Sequence, residues 1–221
     1  MQYRIFSGKK EERIDNKNPL MSISDKIYNL LEYPIIYNAL QRITSIGRMD
    51  AIRFFEEKIR QEAFGRVCDI GCGTGRYAHL IQSRYFGIDI NKKYFTPVEG
   101  DKCFICGDVT QLPFAGSSFD FIFSIGFFHH VSDNQVKKAL NEIYRTIKSG
   151  GKTIIIDIFY PVNSLNIFGY LLCRFDRGRY VRRQEAFRML ASERFHIIES
   201  SYIKGSFPQN MWYYILQKQE E

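Results

Sequence analysis

The sequence predicts an α/β fold in which a mostly parallel β-sheet carries helices on both faces. After Gly65, short apolar runs alternate with segments of helical spacing, which is typical of parallel strands joined by helical crossovers. The last two apolar runs are separated only by residues 205–209, so these two strands are expected to pair in antiparallel fashion. A chain of 221 residues has room for one such domain and an N-terminal addition.

The predicted elements follow one another in a regular order. Each strand is assigned to a short apolar run, and each helix to a stretch whose apolar residues recur every three or four positions. Strands are expected at residues 66–70, 85–89, 102–106, 119–124, 152–159, 195–203 and 211–217. Helices are expected at residues 75–83, 133–148, 167–173 and 183–192.

Residues 1–60 precede this alternating pattern. The stretch to about Ser22 is polar and charge-rich, which predicts a loosely packed tail. From Ile23 onward the apolar residues recur at helical intervals, with interruptions at Pro34 and Gly47. We therefore expect a helical extension up to residue 60 and the main domain over residues 61–221.

The charge balance favours an acidic partner. A net charge of +7 and a pI near 9.1 suit nucleic acid, an anionic lipid surface or a phosphorylated small molecule, although basic residues are also common on solvated surfaces. Six arginines lie between residues 174 and 188, and clustered arginines can grip an anion. No apolar run is long enough to span a membrane, but residues 165–175 are apolar and then basic, so peripheral membrane contact stays open.

The cysteines indicate a reducing, cytoplasmic setting. They number five, which is odd, and no secretory signal is recognised in the sequence. Cys103 and Cys106 have the spacing of zinc ligands, but neither a second pair nor a suitably spaced histidine follows them. The sequence therefore predicts no metal site.

A glycine-rich turn after the first predicted strand is the strongest functional signal. The segment Val67-Cys-Asp-Ile-Gly-Cys-Gly-Thr-Gly75 runs from an apolar strand into closely spaced glycines, which let the backbone approach a ligand. Its spacing is G-x-G-x-G, whereas a dinucleotide site needs G-x-G-x-x-G. Asp69 would also repel a pyrophosphate, but it suits the positively charged methionyl part of S-adenosylmethionine (SAM).

Two further acids follow the next two strands. Asp89 ends the second strand, at about the distance from the glycines at which an acid accepts both ribose hydroxyls. Asp108 follows the third strand and is a candidate acceptor for an adenine amino group. Each acid alone has a structural alternative, since Asp69 or Asp89 could cap a helix and Asp108 could make a turn. Three carboxylates at the ends of three successive strands are harder to explain in that way.

Five motifs together resemble class I SAM-dependent methyltransferases. They are Asp69-Ile-Gly-Cys-Gly-Thr-Gly75, Gly107-Asp108-Val-Thr-Gln-Leu-Pro-Phe114, Phe119-Asp120, His129-His130-Val131 and Ile147-Lys-Ser-Gly-Gly151. Within that family the sequence is most similar to the group that methylates quinones, lipids and other small metabolites. The resemblance implies a Rossmann-like seven-stranded sheet with the last strand antiparallel, a catalytic domain at residues 61–221 and an N-terminal helical lid on the substrate side.

The resemblance also implies a set of cofactor-binding residues, with SAM lying across the ends of the first three strands. Three groups of residues would contact its three parts. Asp69, Gly71, Gly73 and Gly75 would surround the methionyl part, Asp89 would bind the ribose, and Asp108 with Val109 would hold the adenine. Cys72 and Ile90 are further cofactor-binding candidates, and Ser124 and Ile125, at the end of the fourth strand, could contact the methionyl part through backbone groups.

The segment after the fourth predicted strand is expected beside the transferred methyl group. Methyl transfer is an in-line displacement, so the protein mainly aligns the acceptor and excludes water. His129 or His130 is the candidate general base for an acceptor that must lose a proton. The alternative is that one histidine packs against the cofactor or caps the next helix. Several aromatic residues are candidates for an acceptor pocket or for the core: Phe127, Phe128, Phe159, Tyr160, Phe168 and Tyr170.

These observations predict a methyltransferase that uses SAM and acts on a small molecule, with an anionic or lipid-like acceptor as one option. Nucleic-acid methylation, suggested by the basic C-terminal third, is the first alternative. A SAM-binding protein without turnover is the second. The glycine spacing and Asp69 speak against a nicotinamide-dependent oxidoreductase.

Overall fold

The computed structural model describes residues 49–95, 100–163, 165–176, 178–204, 206 and 210–218. The tail and most of the helical extension expected from the sequence lie outside these residues. The strands are β1 (Arg66–Ile70), β2 (Arg84–Asp89), β3 (Lys102–Cys106), β4 (Phe119–Ile125), β5 (Ile147–Phe159), β6 (Phe195–Tyr202) and β7 (Asn210–Lys218). The α-helices are α1 (Met49–Glu62), α2 (Asp133–Thr146), α3 (Ile167–Arg174) and α4 (Gln184–Ser192).

All seven strands belong to one sheet, in the order β3-β2-β1-β4-β5-β7-β6. Pairs from β3 through β5 are parallel, whereas β7 is antiparallel to both of its neighbours. Six strands therefore run one way and the last one runs the other way, which confirms the predicted fold class. The chain order reverses between β1 and β4, and a crevice for ligands forms outside the carboxyl ends of strands at such a point.

Each face of the sheet has its own apolar core. Neighbouring residues of β4 point to opposite faces, so Ile122 belongs to one core and Phe123 to the other. Helix α1 covers the Phe123 face with apolar residues that include Phe55 and Ile59. Helices α2 and α4 cover the opposite face, and α2 contributes Val136, Ala139, Leu140 and Ile143 at helical spacing.

The connection from β1 to β2 differs from the prediction. A helix was expected at residues 75–83, but the structure has only a 3-10 turn at Ala78–Leu80. Eight residues separate Gly75 from β2 and must return the length of a six-residue strand, about 20 Å. Eight α-helical residues would cover only about 12 Å. The crossover is therefore too short for an α-helix and uses more extended backbone.

Strand β5 also begins earlier than predicted, at Ile147 instead of Lys152. Ile147 pairs with Phe119 of β4 across a register shift, which extends the strand toward its amino end.

Among the described residues, no helix has both the length and the apolar character needed to cross a membrane.

Candidate active site

The glycine turn lies at the carboxyl end of β1. Gly71, Gly73 and Gly75 have φ angles of 69°, 53° and 72°, in the left-handed region that favours glycine. A Cβ atom at residue 71 would lie 2.4 Å from the ring of Phe127, and one at residue 75 would lie 2.5 Å from the ring of Phe104. These two positions need glycine for both conformation and space, so the turn is compact and its amides stay close to the sheet.

Asp89, at the end of β2, fastens this turn to the next strand. Its Oδ2 accepts the N–H of Gly73 at 2.9 Å, and its Oδ1 accepts the N–H of Asn91 at 2.8 Å. Burial raises the pKa of Asp89 above its usual value, although the amides of Asn91, Gly73 and Ile90 oppose that shift. The side chain of Ile90 projects from the same strand end and is 73% exposed. The carboxylate predicted to bind ribose therefore already touches the glycine turn.

Asp69 lies inside the sheet, next to the turn. Its side chain is buried, and its Oδ2 accepts the hydroxyl of Tyr85 at 2.8 Å. The pKa of Asp69 is raised to about 7, mainly by burial and in part by the charge of Asp89, while the hydrogen bond from Tyr85 opposes the shift. Burial raises the pKa of the neighbouring Cys72 thiol, and the charges of Asp69 and Asp89 raise it further. Two neighbouring carboxylates make this strand end favourable for cations and unfavourable for phosphates.

Asp108 and Val109 follow β3 and have different surroundings. Asp108 is exposed, and its Oδ1 accepts both the N–H and the hydroxyl of Thr110 at 2.8 Å. It therefore makes the turn that was the structural alternative for this residue. Val109 is buried in the core, so only its backbone can face a ligand. Since Asp89 pairs in register with Cys106, Asp108 lies two residues beyond the end of that pairing.

Ser124 and Ile125 end strand β4 beside β1. The hydroxyl of Ser124 is buried and donates to the carbonyl of Ile70 at 2.9 Å. This bond ties the ends of β1 and β4 together at the reversal point of the sheet. Ile125 is partly buried, and Gly126 follows with a φ of 66°. The hydroxyl hydrogen of Ser124 is therefore already used within the protein.

His129 is buried and bonded to strand β5. Its Nδ1 lies 2.5 Å from Oδ1 of Asp157, and its backbone N–H donates to Oδ2 of the same carboxylate at 3.0 Å. Burial lowers the pKa of His129, but Asp157 and Asp176 outweigh this and raise the pKa above its usual value. For Asp157, burial raises the pKa, and the interaction with His129 outweighs it and lowers the pKa. The pair therefore fixes the loop after β4 to the end of β5.

A second layer of contacts encloses His129. Its Nε2 lies 3.5 Å from Oδ1 of Asp176, so both ring nitrogens face carboxylates. The N–H of Tyr180 donates to the carbonyl of His129 at 3.1 Å. His130 is exposed, and its ring centroid lies 4.1 Å from that of His129. Of the two histidines, solvent therefore reaches His130 and not His129.

Arg182 holds the same loop from the other side. Its side chain is buried and donates to Oδ1 of Asp133 at 3.0 Å and to the carbonyls of Phe128 and Val131 at 2.8 and 2.7 Å. This arginine was part of the cluster expected to hold an anionic substrate. The structure shows instead that it binds the protein's own backbone, which corrects that expectation for Arg182.

The comparisons with known proteins agree with this architecture. Residues 68–155 match the family described as "Methyltransferase domain". The match and the sheet order support a class I SAM-dependent methyltransferase, as the sequence motifs predicted. The match spans β1 to the middle of β5, and so it contains the glycine turn, Asp89, Asp108 and the histidine pair.

Relatives of this methyltransferase domain act on different substrates, as their names state. A demethylmenaquinone methyltransferase of Lactobacillus johnsonii is 26% identical in an alignment of 174 residues that covers 71% of this chain and 69% of that protein. A tRNA (carboxymethyluridine(34)-5-O)-methyltransferase of Arabidopsis thaliana is 36% identical in an alignment of 93 residues that covers 40% of this chain and 23% of that protein. The chain spans only 20% to 49% of the length of six curated relatives that it matches.

A solved structure shares the fold. It is a SAM-dependent methyltransferase of Methanosarcina mazei, with a TM-score of 0.59 and 18% sequence identity. The likeness covers 74% of this chain and 97% of that chain. At this level of identity the comparison speaks for the fold alone.

Sequence reasoning missed the residues that support the methyltransferase site. Asp157 and Tyr85 bind His129 and Asp69, respectively, and Arg182 binds the loop after β4. The signal for Asp157 was present, since it is the one acid in the apolar run at residues 154–159. An acid in such a run is costly unless it has a partner. The partner itself, 28 positions away, could not be identified from the sequence alone.

Proposed function

We propose that the chain is a methyltransferase that binds SAM across the carboxyl ends of β1, β2 and β3. The observation that supports this most is the pair of carboxylates, Asp69 and Asp89, set around a glycine turn whose Gly73 amide bonds to Asp89. Such a site suits a ligand that carries hydroxyl groups and positive charge but no phosphate. SAM has this chemistry, and nicotinamide dinucleotides do not.

In this proposal each strand end serves one part of the cofactor. Asp89 accepts the ribose hydroxyls through the lone pairs that are not used by its backbone donors, and Asp108 accepts from the adenine amino group. The field of Asp69 favours the positive charges of the methionyl part. The remaining contacts come from Gly71, Cys72, Gly73, Gly75, Ile90, Val109, Ser124 and Ile125.

The chain's own residues then align the acceptor. Bound SAM supplies a methyl group on a positively charged sulfur, which an acceptor can displace in line. Phe127 packs on the glycine turn, and the loop that follows it is fixed through His129 and Arg182. A fixed loop limits the approach directions open to the acceptor. His130, exposed beside His129, is the candidate to accept a proton from a hydroxyl acceptor.

We further propose that the acceptor is a small, lipid-like molecule. We call residues 66–125, which hold all the proposed SAM contacts, the cofactor half of the chain. The match to the demethylmenaquinone methyltransferase extends over 174 residues and so reaches well beyond it. The match to the tRNA methyltransferase covers only 93 residues. Because all methyltransferases of this fold need the cofactor half, identity there says little about the acceptor.

RNA is the second candidate acceptor. Its support is the higher identity to the tRNA methyltransferase and the net charge of +7, which suits a phosphate backbone. If RNA is the acceptor, we expect the full chain to bind RNA and this binding to weaken steeply with added salt. The lipid-like reading expects no such binding.

The cofactor proposal is tested by isothermal titration of the full chain with SAM. We expect binding, and we expect Asp89→Asn to weaken it by about tenfold or more, because charged hydrogen bonds to the ribose are lost. Asp50→Asn, an exposed acid on α1, is the matched control and should leave the affinity unchanged. No binding by the intact chain, or equal weakening by both variants, would sink the proposal.

The acceptor is tested with SAM that carries a labelled methyl group. The full chain is incubated with cell extract, which is then separated into lipid, polar metabolite and RNA fractions. Label in the lipid fraction supports the lipid-like acceptor, and label only in RNA supports the second candidate. SAM binding without label in any fraction would favour a binding protein without turnover.

A further inference from the structure

Helix α3 turns its large apolar side chains away from the protein. Its buried residues are small: Gly169 and Cys173, whose thiol donates to the carbonyl of Phe159. Its outward residues include Ile167, Phe168 and Leu171, which are 66%, 60% and 46% exposed. On the surface of a soluble domain the opposite arrangement is usual, with large apolar residues inward and polar residues outward. The outer side of α3 is therefore suited to contact something apolar.

The apolar surface continues beyond the helix at both ends. Leu165 precedes α3 and Phe175 follows it, and both are more than four-fifths exposed. Of the twelve exposed large apolar side chains in the described residues, seven lie between Val162 and Phe175. We call residues 162, 163 and 165–175 the α3 surface. A contiguous exposed cluster of this kind marks an interaction site more often than scattered single residues do.

Basic residues predominate in the sequence around the α3 surface. Residues 160–183 contain five arginines and a single acid, Asp176. Asp176 is turned inward, because its Oδ1 accepts the N–H of Gly178 at 2.7 Å and lies 3.5 Å from Nε2 of His129. Arg174, at the end of α3, and Arg183, at the start of α4, are exposed. An apolar patch thus has positive charge at its border, with its one acid directed away.

We propose that the α3 surface docks on a lipid membrane that contains anionic headgroups. Phe, Leu and Ile side chains favour the boundary between headgroups and acyl chains, and arginines at the border pair with lipid phosphates. The positive charge at the border of the α3 surface is complementary to the negative charge of such a membrane. Helix α3 follows β5 and so lies at the carboxyl edge of the sheet, where the cofactor site is proposed. Docking there presents that edge to the lipid.

The proposal is tested with vesicles and needs no cofactor. The full chain is sedimented with vesicles of phosphatidylcholine alone or mixed with phosphatidylglycerol. We expect binding to the mixed vesicles, weaker binding to the neutral ones, and a loss of binding as salt is added. Because SAM is absent from this measurement, its result is independent of whether the proposed methyl transfer occurs.

Two matched pairs of variants locate the contact. Phe168→Ser should lower the partition onto mixed vesicles by about tenfold, because one aromatic side chain leaves the lipid. Phe64→Ser is the control, since Phe64 has the same 60% exposure but lies just before β1, at the amino edge of the sheet. Arg174→Gln should lower the partition by about fivefold, and Arg60→Gln, an exposed arginine on α1, should not.

Three results would overturn the proposal. The full chain could fail to bind either kind of vesicle, or Phe64→Ser could weaken binding as much as Phe168→Ser does. Thirdly, gel filtration could show an oligomer that Phe168→Ser converts to monomers while no vesicle binding is seen, in which case a second copy covers the α3 surface. All four substitutions are at exposed positions, and unchanged thermal unfolding would show that a loss of binding is not a loss of folding.

Discussion

At the scale of single residues, Asp69 links protonation to the proposed cofactor site. Burial raises its pKa to about 7, so the carboxyl is mostly protonated one unit below that value and half ionised at it. Only the ionised form attracts the positive methionyl part of SAM. We therefore expect SAM affinity to rise about fivefold between about pH 6 and about pH 7.

Isothermal titration at several pH values measures this dependence. Asp69→Asn removes the titrating group and should give a weaker affinity that no longer changes over the same interval. Tyr85→Phe serves as a second probe, because the hydrogen bond that lowers the pKa of Asp69 is then absent. Its affinity curve should move to higher pH. An affinity that falls as the pH rises would contradict the role proposed for Asp69.

The His129–Asp157 pair gives a second expectation at this scale. The pKa of His129 is raised, so its contribution to stability is complete below about pH 6.5 and is lost as the pH rises through the higher folded value. The pKa of Asp157 is lowered, so its contribution is present above about pH 4 and is lost as the pH falls. The pair is therefore most stabilising between these two limits.

Denaturant unfolding over a pH series measures the pair. Asp157→Asn should lower the free energy of unfolding by about 3 kcal/mol near pH 6, because it leaves a buried charge without its partner. Above about pH 6.5, the free energy of unfolding should fall less steeply with pH in His129→Gln than in the unchanged protein. The pH dependence that comes from Asp69 is the same in the two proteins. Equal slopes in the two proteins would mean that His129 is not the titrating group.

At the scale of elements, the sequence predicted strands better than crossovers. The strands are apolar runs whose ends coincide with glycines and acids, and those at residues 66–70 and 102–106 have the predicted bounds. The helix expected at residues 75–83 had suitable spacing, but the length of chain available to return along β2 excluded it. The contacts of Arg182 were beyond prediction, because its partners lie about 50 positions earlier in the chain. The spacing of apolar residues predicts a single helix or strand, whereas contacts such as those of Arg182 depend on how helices, strands and loops pack together.

The glycine turn allows a test that separates backbone strain from crowding. Gly75 and Gly150 have similar φ angles of 72° and 68°, but only a Cβ at residue 75 would meet a neighbour, the Phe104 ring at 2.5 Å. We expect Gly150→Ala to cost about 1 kcal/mol of stability from strain alone. Gly75→Ala should cost about 2 kcal/mol more, because Phe104 must move.

Denaturant unfolding gives both free energies, and titration with SAM adds a functional readout. Gly75→Ala should also weaken SAM binding, since the turn it deforms carries the amide that bonds to Asp89. Gly150→Ala should bind SAM normally, as nothing in the proposed site touches it. Equal costs for the two substitutions would show that Phe104 does not crowd residue 75.

At the scale of the whole molecule, the cofactor half and the α3 surface were predictable to different degrees. The cofactor half is dense with motifs, and the structure places Asp69, Asp89 and Asp108 at three adjacent strand ends as expected. The stretch at residues 165–175 was recognised only as apolar and then basic. Which side of a helix faces the protein depends on packing, and the burial of Gly169 and Cys173 shows it only in the folded chain.

Because the two regions use different residues, they should fail independently. A ligand that binds only the folded state raises the midpoint of thermal unfolding, and a hundredfold excess of SAM over its Kd should raise it by about 5–10 °C in a domain of this size. Asp89→Asn should lose most of that shift and still bind anionic vesicles. Phe168→Ser should keep the full shift and lose the vesicles. A variant that lost both properties while staying folded would mean that the glycine turn and helix α3 are coupled. The α3 surface would then have to be treated as part of the cofactor site.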